Sequence, residues 1–80
     1  MNTNNTIHKG IVKFYNTERA YGFITDNDTG KDYFVHVTGL IDPIKMKDEV
    51  TFELIENDRG YLATNVRTLI NYIIINVNNK

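Results

Sequence analysis

Aromatic and basic side chains share one side of the segment RAYGFITD, which runs from Arg19 to Asp26. Successive side chains of a β-strand point to opposite faces, so Arg19, Tyr21 and Phe23 would lie together. The opposite face would carry three small or aliphatic residues, Ala20, Gly22 and Ile24. Burial of the two rings would draw an arginine into the core. We therefore expect the rings to face solvent beside the cation.

A second segment, DYFVHV from Asp32 to Val37, repeats this pattern, with Phe34 and His36 on one strand face. The opposite face carries the residues that suit a core, which are Tyr33, Val35 and Val37. A hairpin of the two segments would combine four exposed rings, those of Tyr21, Phe23, Phe34 and His36. Arg19 and Asp32 would edge this surface. Because nucleobases stack on exposed rings at about 1–3 kcal/mol each while nearby cations contact phosphates, the pattern predicts binding of single-stranded nucleic acid.

The composition excludes several kinds of catalytic site. The 80-residue chain has neither cysteine nor serine, so it has no thiol or serine nucleophile, disulfide or thiolate metal site. The segment DNDTG, from Asp26 to Gly30, is similar to the start of a calcium loop. Its glycine comes one place early, however, and Val37 stands where the closing glutamate belongs. We expect no enzyme activity, no catalytic residues, no metal site and no cofactor.

The overall charge does not favour a nucleic-acid partner. Formal net charge is −1 and the pI is about 6.0, whereas nucleic-acid-binding domains usually have a basic face. Local charge differs, because between residues 9 and 23 Glu18 alone opposes Lys9, Lys13 and Arg19. With about three phosphate contacts, a plot of log affinity against log salt should have a slope of roughly −2. Stacking is therefore expected to outweigh electrostatics.

The N-terminal residues lack the basic region and apolar run of an export signal. No apolar stretch approaches the ~20 residues of a membrane span. We expect a soluble protein of the cytoplasm that does not bind membranes.

Five β-strands are expected, from runs rich in Val, Ile, Tyr, Phe and Thr that are separated by turn signals. Their approximate ranges are 9–16, 20–26, 31–37, 49–56 and 61–68. Two hairpin turns contain Gly30 and Gly60, each available for a positive φ. Residues 38–48 form a connecting loop, with room for one helical turn, because Pro43 cannot lie in a central strand.

Five short strands predict an all-β domain at residues 1–69, a small antiparallel OB-fold barrel, with an SH3-like barrel as the alternative. The expected core is Val12, Ile24, Tyr33, Val35, Val37, Val50, Phe52, Leu54 and either Ala63 or Val66. His8 is expected in solvent. This core is complete without the rings of Tyr21 and Phe23.

The C-terminal segment LINYIIINVNNK is apolar on both faces of a strand. Its β-branched residues favour a strand, but the spacing of Leu69, Tyr72, Ile73 and Val77 also suits a short helix. Residues 70–80 are therefore expected to extend the barrel as an extra strand or a short helix, or to form a homodimer contact.

Three motifs between Lys13 and Val37 resemble those of the cold-shock domain family of bacterial cold-shock proteins and Y-box proteins. RAYGFI resembles the family's K-G-F-G-F-I, YFVHV its V-F-V-H-F, and KFYN its K-W-F-N. Further along, NDRGYLATNV is similar to N-R-G-P-Q-A-A-N-V. The resemblance covers about residues 8–69. RNA-recognition-motif domains have similar motifs but need helices between their strands, and none is visible here.

The resemblance implies a barrel that binds single-stranded DNA and RNA with little sequence preference. Family members act as RNA chaperones or regulators of transcription or translation, often in the response to cold stress. The resemblance assigns base stacking to Phe14, Tyr21, Phe23, Phe34 and His36, phosphate or base-edge contacts to Lys13, Arg19 and Arg59, and base hydrogen bonds to Asn16 and Asp32. Lys13 and Phe14 are adjacent, so both can serve one face only if the strand contains a bulge or sharp bend.

Several positions depart from the family pattern. Phe14 replaces a tryptophan, Ala20 replaces the first motif glycine, and Val37 replaces the terminal aromatic of the second motif. The loop at residues 38–48 is short and lacks the family's phenylalanine. We therefore expect weaker binding, or fewer bases held, than in a typical member.

The alternative to nucleic-acid binding is a protein-interaction or dimerisation module that uses the exposed rings and the Ile-rich tail. The cations Lys13, Arg19 and Arg59 favour the nucleic-acid interpretation, because a protein interface does not require them around the rings.

Overall fold

The computed structural model describes the backbone of residues 3–78 and the side chains of residues 6–77. Its elements are β1 (Thr3–Asn16), β2 (Tyr21–Asp26), β3 (Asp32–His36), β4 (Glu49–Asn57), β5 (Gly60–Thr68) and α1 (Leu69–Asn78), with a single 3-10 turn at Val37–Gly39. All five predicted strands are present. The first begins at Thr3 rather than at residue 9, and the ends of the others agree within about one residue.

The strands close into a barrel in the order β1-β2-β3-β5-β4. Every neighbouring pair is antiparallel except β3 and β5, which pair in parallel through Phe34 with Leu62 and Val35 with Ala63. This architecture confirms the predicted five-stranded OB-type barrel. Gly30 and Gly60 have φ values of 76° and 117°, as their hairpin turns require. No helix within residues 3–78 has the length and apolar composition needed to cross a membrane.

Eight apolar side chains that are at most 5% exposed form the barrel core: Val12, Ile24, Val35, Val50, Phe52, Leu54, Ala63 and Val66. Six of them were predicted as core positions, and Ala63 and Val66, which were predicted as alternatives, are both buried. Tyr33 packs against this core partly buried. The prediction was wrong for Val37, which is 43% exposed. β3 ends at His36, so the alternation of strand faces stops before Val37.

His8 does not lie in solvent, which corrects the prediction from the sequence. Its ring stacks on Phe52 with centroids 5.3 Å apart, and its Nδ1 lies 3.1 Å from Oδ2 of Asp26. Asp26 is only 2% exposed, and its Oδ1 accepts hydrogen bonds from the backbone N–H groups of Asp28 and Thr29. One buried carboxylate therefore joins the β2–β3 turn to β1.

The turn before β2 corrects a second expectation. β2 begins at Tyr21, so Arg19 and Ala20 lie in a turn and not in the strand. Asn16 holds this turn: its Oδ1 accepts from the N–H of Arg19 at 2.9 Å and its backbone oxygen accepts from that of Ala20 at 2.8 Å. Ala20 has a φ of +64°, where a Cβ costs about 1–2 kcal/mol.

Ala20→Gly is expected to raise the free energy of unfolding by about 1 kcal/mol, because glycine adopts this φ without a steric cost. Urea denaturation of the two proteins measures the difference. Ala63→Gly, at the other alanine of the chain, is the matched control and should lower stability, because Ala63 is buried within β5. Equal losses from both substitutions would show that the turn imposes no strain at Ala20.

The segment after β5 is a helix, one of the alternatives that the sequence left open. Thr68 caps it, because its Oγ1 accepts from the N–H of Asn71 at 3.4 Å while Asp42 accepts from the N–H of Thr68 at 2.9 Å. α1 contacts β4 and β5, with Leu69 and Tyr72 half-buried. Five of its other apolar side chains are exposed: Ile70, Ile73, Ile74, Ile75 and Val77.

Candidate nucleic-acid interface

A β-bulge in β1 places Phe14 on the outer face of the barrel. β1 pairs Val12 with Ile24 and Phe14 with Phe23, which leaves Lys13 as the extra residue. Val12 is fully buried, whereas Phe14 is 39% exposed. The bulge that the adjacent Lys13 and Phe14 required is therefore confirmed.

Gly22 allows β1 to approach β2 beside this bulge. A Cβ on Gly22 would collide with the carbonyl oxygen of Phe14 and would lie 2.7 Å from Cδ1 of Tyr15. Any larger residue would push β1 outward. Gly22 is therefore what permits the ring of Phe14 to meet the rings on β2.

Four rings form a connected surface, termed here the aromatic platform: Phe14, Tyr21, Phe23 and Phe34. Tyr21 is central, stacked on Phe34 at 5.7 Å between centroids and edge-on to Phe14 at 5.8 Å and to Phe23 at 6.2 Å. Phe23 and Phe34 lie opposite each other in register, with centroids 5.8 Å apart. Each ring limits the movement of its neighbours, so the surface is preorganised.

His36 lies beside the platform, opposite Tyr21 in the β2–β3 register. Its Nδ1 accepts a hydrogen bond from the N–H of Thr38 at 3.2 Å and lies 3.0 Å from the Thr38 hydroxyl. In the neutral ring an accepting Nδ1 leaves the proton on Nε2. The exposed imidazole therefore presents an N–H donor and a flat face at the platform edge.

Lys13 and Asp32 form an ion pair at another edge, with 2.7 Å between Nζ and Oδ2. The Thr25 hydroxyl donates to Oδ1 of Asp32 at 2.6 Å. The hydrogen bond from Lys13, followed by that from Thr25, holds the pKa of Asp32 below its ordinary value. Both carboxylate oxygens already accept a hydrogen bond, and Lys13 uses one of its three N–H donors for Asp32.

Substitution of Lys13 by methionine is expected to raise the pKa of Asp32 toward the ordinary value of 3.8, because the largest cause of the depression is removed. A depressed pKa stabilises the fold above pH 3.8, and this contribution disappears as the pH falls through the lowered value. Carboxyl NMR titration measures the shift. Lys45→Met, which breaks the pair of Lys45 with Asp48, should leave the Asp32 midpoint unchanged. If the Asp32 midpoint of the Lys13→Met variant equalled that of the intact protein, Lys13 would not be the main cause of the lowered Asp32 pKa.

The remaining predicted residues are Asn16, which ends β1, and the turn residues Arg19 and Arg59. Asn16 uses Oδ1 within its own turn, which leaves its amide N–H₂ for another acceptor. Arg19 is exposed on that turn, and Arg59 is exposed between β4 and β5. Neither guanidinium forms a salt bridge with any residue whose side chain the structure describes. Across residues 6–77, no three His, Asp or Glu side chains are grouped so that they could hold a metal ion.

Tyr61 was not among the residues predicted from the sequence. It is 52% exposed and lines a cleft of about 330 Å³ with Phe34, Asn57, Arg59 and Leu62. Strand alternation in β5 places Tyr61 on the same side as the buried Ala63, so the sequence pattern did not indicate an exposed ring at Tyr61. Its place directly after the hairpin residue Gly60 was the available signal, because a side chain at the end of a barrel strand can lie beyond the core.

Known proteins resemble this chain over most of its length. A family profile described as the 'Cold-shock' DNA-binding domain matches residues 8–69. The chain belongs to the cold-shock domain family. Family membership supports nucleic-acid binding in general.

Curated relatives agree with this membership. A "Cold shock-like protein" of Aquifex aeolicus is 37% identical over 65 residues, covering 76% of this chain and 93% of the relative. "Cold shock-like protein CspG" of Escherichia coli is 38% identical over 64 residues, covering 75% and 91%. "Cold shock protein 2" of Lactiplantibacillus plantarum is 44% identical over 62 residues, covering 72% and 92%. The match therefore spans nearly the full length of each relative.

Proposed function

We propose that this cold-shock domain binds single-stranded RNA or DNA with low sequence specificity by stacking bases on the aromatic platform. The observation that carries the proposal is the set of four mutually contacting rings on the outer face of β1, β2 and β3. Every base has a π-face, so stacking tolerates any sequence. Duplex bases are already stacked on each other and cannot reach the rings.

The cationic and polar residues fit defined roles in this proposal. Arg19 and Arg59 contact phosphates or base edges, because each guanidinium is exposed and lacks a salt bridge to a described side chain. Lys13 joins them through the N–H donors that its pair with Asp32 leaves unused. Asn16 donates its amide N–H₂ to a base. Asp32 accepts from a base through the lone pairs that its two internal hydrogen bonds leave unused.

The cellular role that follows is that of a cytoplasmic RNA chaperone or a regulator of transcription or translation. A protein that binds unpaired bases and not duplexes shifts RNA away from base-paired structures by mass action. Low specificity suits this role, because the protein then acts on many sequences. The test is a labelled RNA hairpin, which should open at lower temperature when the protein is added in excess.

Tyrosine fluorescence titration with heptathymidine and heptauridine tests the binding itself. Tyr21 lies at the centre of the platform, so stacking should change its emission. Both strands are expected to bind saturably, the corresponding duplex is not, and the slope of log affinity against log salt should be roughly −2. No binding of either single strand would refute the proposal. A much steeper slope would mean that phosphate contacts, not stacking, provide the affinity.

We also propose that residues 70–80 are an extension to the binding domain at residues 1–69 and join two copies into a homodimer. Four apolar side chains of α1 have the spacing i, i+3, i+4 and i+7: Ile70, Ile73, Ile74 and Val77. They are 49–68% exposed, because Leu69 and Tyr72 occupy the side that faces the barrel. Such a stripe is typical of a helix that packs against another element.

The chemistry of α1 favours a second copy as the partner. A two-fold contact brings identical residues together, and α1 contains no charged residue that would repel its equivalent. The absence of Lys and Arg from these ten residues disfavours an anionic membrane surface. The platform lies on β1, β2 and β3, whereas α1 packs on β4 and β5, so a dimer leaves both platforms accessible.

Sedimentation equilibrium of the full chain measures this association. We expect a concentration-dependent dimer for the intact protein and a monomer for Ile70→Lys with Ile74→Lys. Asn71→Lys, an exposed position of α1 outside the stripe, is the matched control and should still dimerise. A monomeric intact protein at all concentrations, or equal dimerisation of all three, would refute the proposal.

A further inference from the structure

Tyr61 places an additional aromatic ring at the β5 end of the platform. Leu62, the next residue, pairs with Phe34 across the parallel β3–β5 contact. Tyr61 and Phe34 thereby line the same cleft of about 330 Å³, a size at the lower end of ligand-binding clefts. The two rings are 52% and 38% exposed, respectively. Phe34 belongs to the four-ring platform, so the ring of Tyr61 is the aromatic surface that the cleft adds.

Polar groups in the same cleft suit a nucleotide. The N–H of Arg59 donates to Oδ1 of Asn57 at 2.9 Å, which orients that amide and leaves its N–H₂ as a donor. The Arg59 guanidinium forms no salt bridge with a described side chain. A cation and an amide donor beside two rings match the phosphate, the polar edge and the flat face of one nucleotide.

We infer that Tyr61 and Arg59, beside the Phe34 edge of the platform, form a subsite for one further nucleobase of the bound strand, an inference that rests on the proposed function. The base stacks on the Tyr61 ring, Arg59 neutralises the adjoining phosphate, and Asn57 donates to an acceptor on the base edge.

This subsite replaces stacking surface that the chain lacks elsewhere. Val37 stands where the resembling motif ends in an aromatic residue, and the loop at residues 38–48 contains no aromatic residue at all. Tyr61 provides stacking surface on β5, the strand that pairs with β3. The departures from the family pattern predict that fewer bases are held than in a typical member. The Tyr61 subsite restores one of these bases.

Fluorescence anisotropy of labelled oligothymidines of three to eight nucleotides tests the subsite without depending on tyrosine emission. For the intact protein, affinity should rise with length until the footprint is filled. Tyr61→Ala should reach its plateau one nucleotide earlier and bind the longest strand about 5- to 100-fold more weakly, with unchanged affinity for the shortest strands. Tyr61→Phe is the matched control and should behave as the intact protein. Urea denaturation confirms that both variants are folded.

The outcomes separate this inference from the proposed function. Intact protein that binds no oligonucleotide refutes both. Intact protein that binds, together with a Tyr61→Ala variant that binds every length equally well, refutes the subsite alone. Equal weakening at every length also refutes it, because the substitution would then have disturbed the platform and not a separate position on the strand.

Discussion

Replacement of Phe23 and Phe34 by alanine together is expected to weaken the binding of heptathymidine by several kcal/mol, about 2–6 kcal/mol from two stacking surfaces. The two rings lie opposite each other on β2 and β3 with centroids 5.8 Å apart. They form one edge of the platform, so their removal eliminates adjacent positions along the bound strand.

Support within the platform makes this loss larger than the sum of two single substitutions. Tyr21 stacks on Phe34 and meets the edge of Phe23, so removal of both leaves it in contact with Phe14 alone among the platform rings. The less constrained Tyr21 ring must be ordered when a base binds, which makes the free energy of binding less favourable. A double-mutant cycle of the single and double variants measures this coupling.

Stability should change little, because Phe34 is 38% exposed and neither ring belongs to the buried core. Met46→Ala is the control, since Met46 is 57% exposed on the loop after β3 and does not contribute to the platform. A folded double variant that binds as tightly as the Met46 variant would exclude the rings as the binding surface. The alternative of a protein-interaction module would then be the main explanation for the exposed rings.

The barrel and most of the platform could be predicted from the sequence because both depend on the two-residue period of a strand. Alternation placed Ile24 and Val35 inside and Phe34 outside, as the structure has them. Lys13 and Phe14 are adjacent, so both could serve one face only if β1 contained a bulge or a sharp bend, and the structure has a bulge there. The two-residue period does not indicate where a strand begins or ends. For this reason the sequence placed Val37 in the core and Arg19 on a strand face, whereas both residues lie just outside a strand.

Two other features depend on contacts between distant parts of the chain. His8 meets Asp26 across 18 positions of sequence, and no local pattern indicates that a barrel will bring them together. The conformation of Ala20 is set by Asn16 on one side and by the N–H of Val37, which donates to the Ala20 carbonyl, on the other. For α1 the apolar run suited either a strand or a helix, and the Thr68 cap held by Asp42 depends on the folded loop.

Phe52→Ala is expected to lower the free energy of unfolding by about 3–5 kcal/mol, because it leaves a cavity in the centre of the barrel. Phe52 is 1% exposed and is the largest fully buried side chain among the described residues. His8 stacks on its ring at 5.3 Å and Tyr33 lies at 6.2 Å, so both lose their support. A domain of 80 residues has only about 4–12 kcal/mol of stability in total.

Urea denaturation measures the loss, and Phe52→Leu is the control that keeps most of the volume and should cost less than half as much. The leucine variant also separates folding from binding. Phe52 points into the core from β4, whereas the platform lies on the outer face of β1, β2 and β3, so Phe52→Leu should bind heptathymidine as the intact protein does. A loss below about 1 kcal/mol for Phe52→Ala would mean that the barrel closes around the missing ring. Weakened binding by a folded Phe52→Leu would mean instead that the core and the platform are mechanically coupled through the strands.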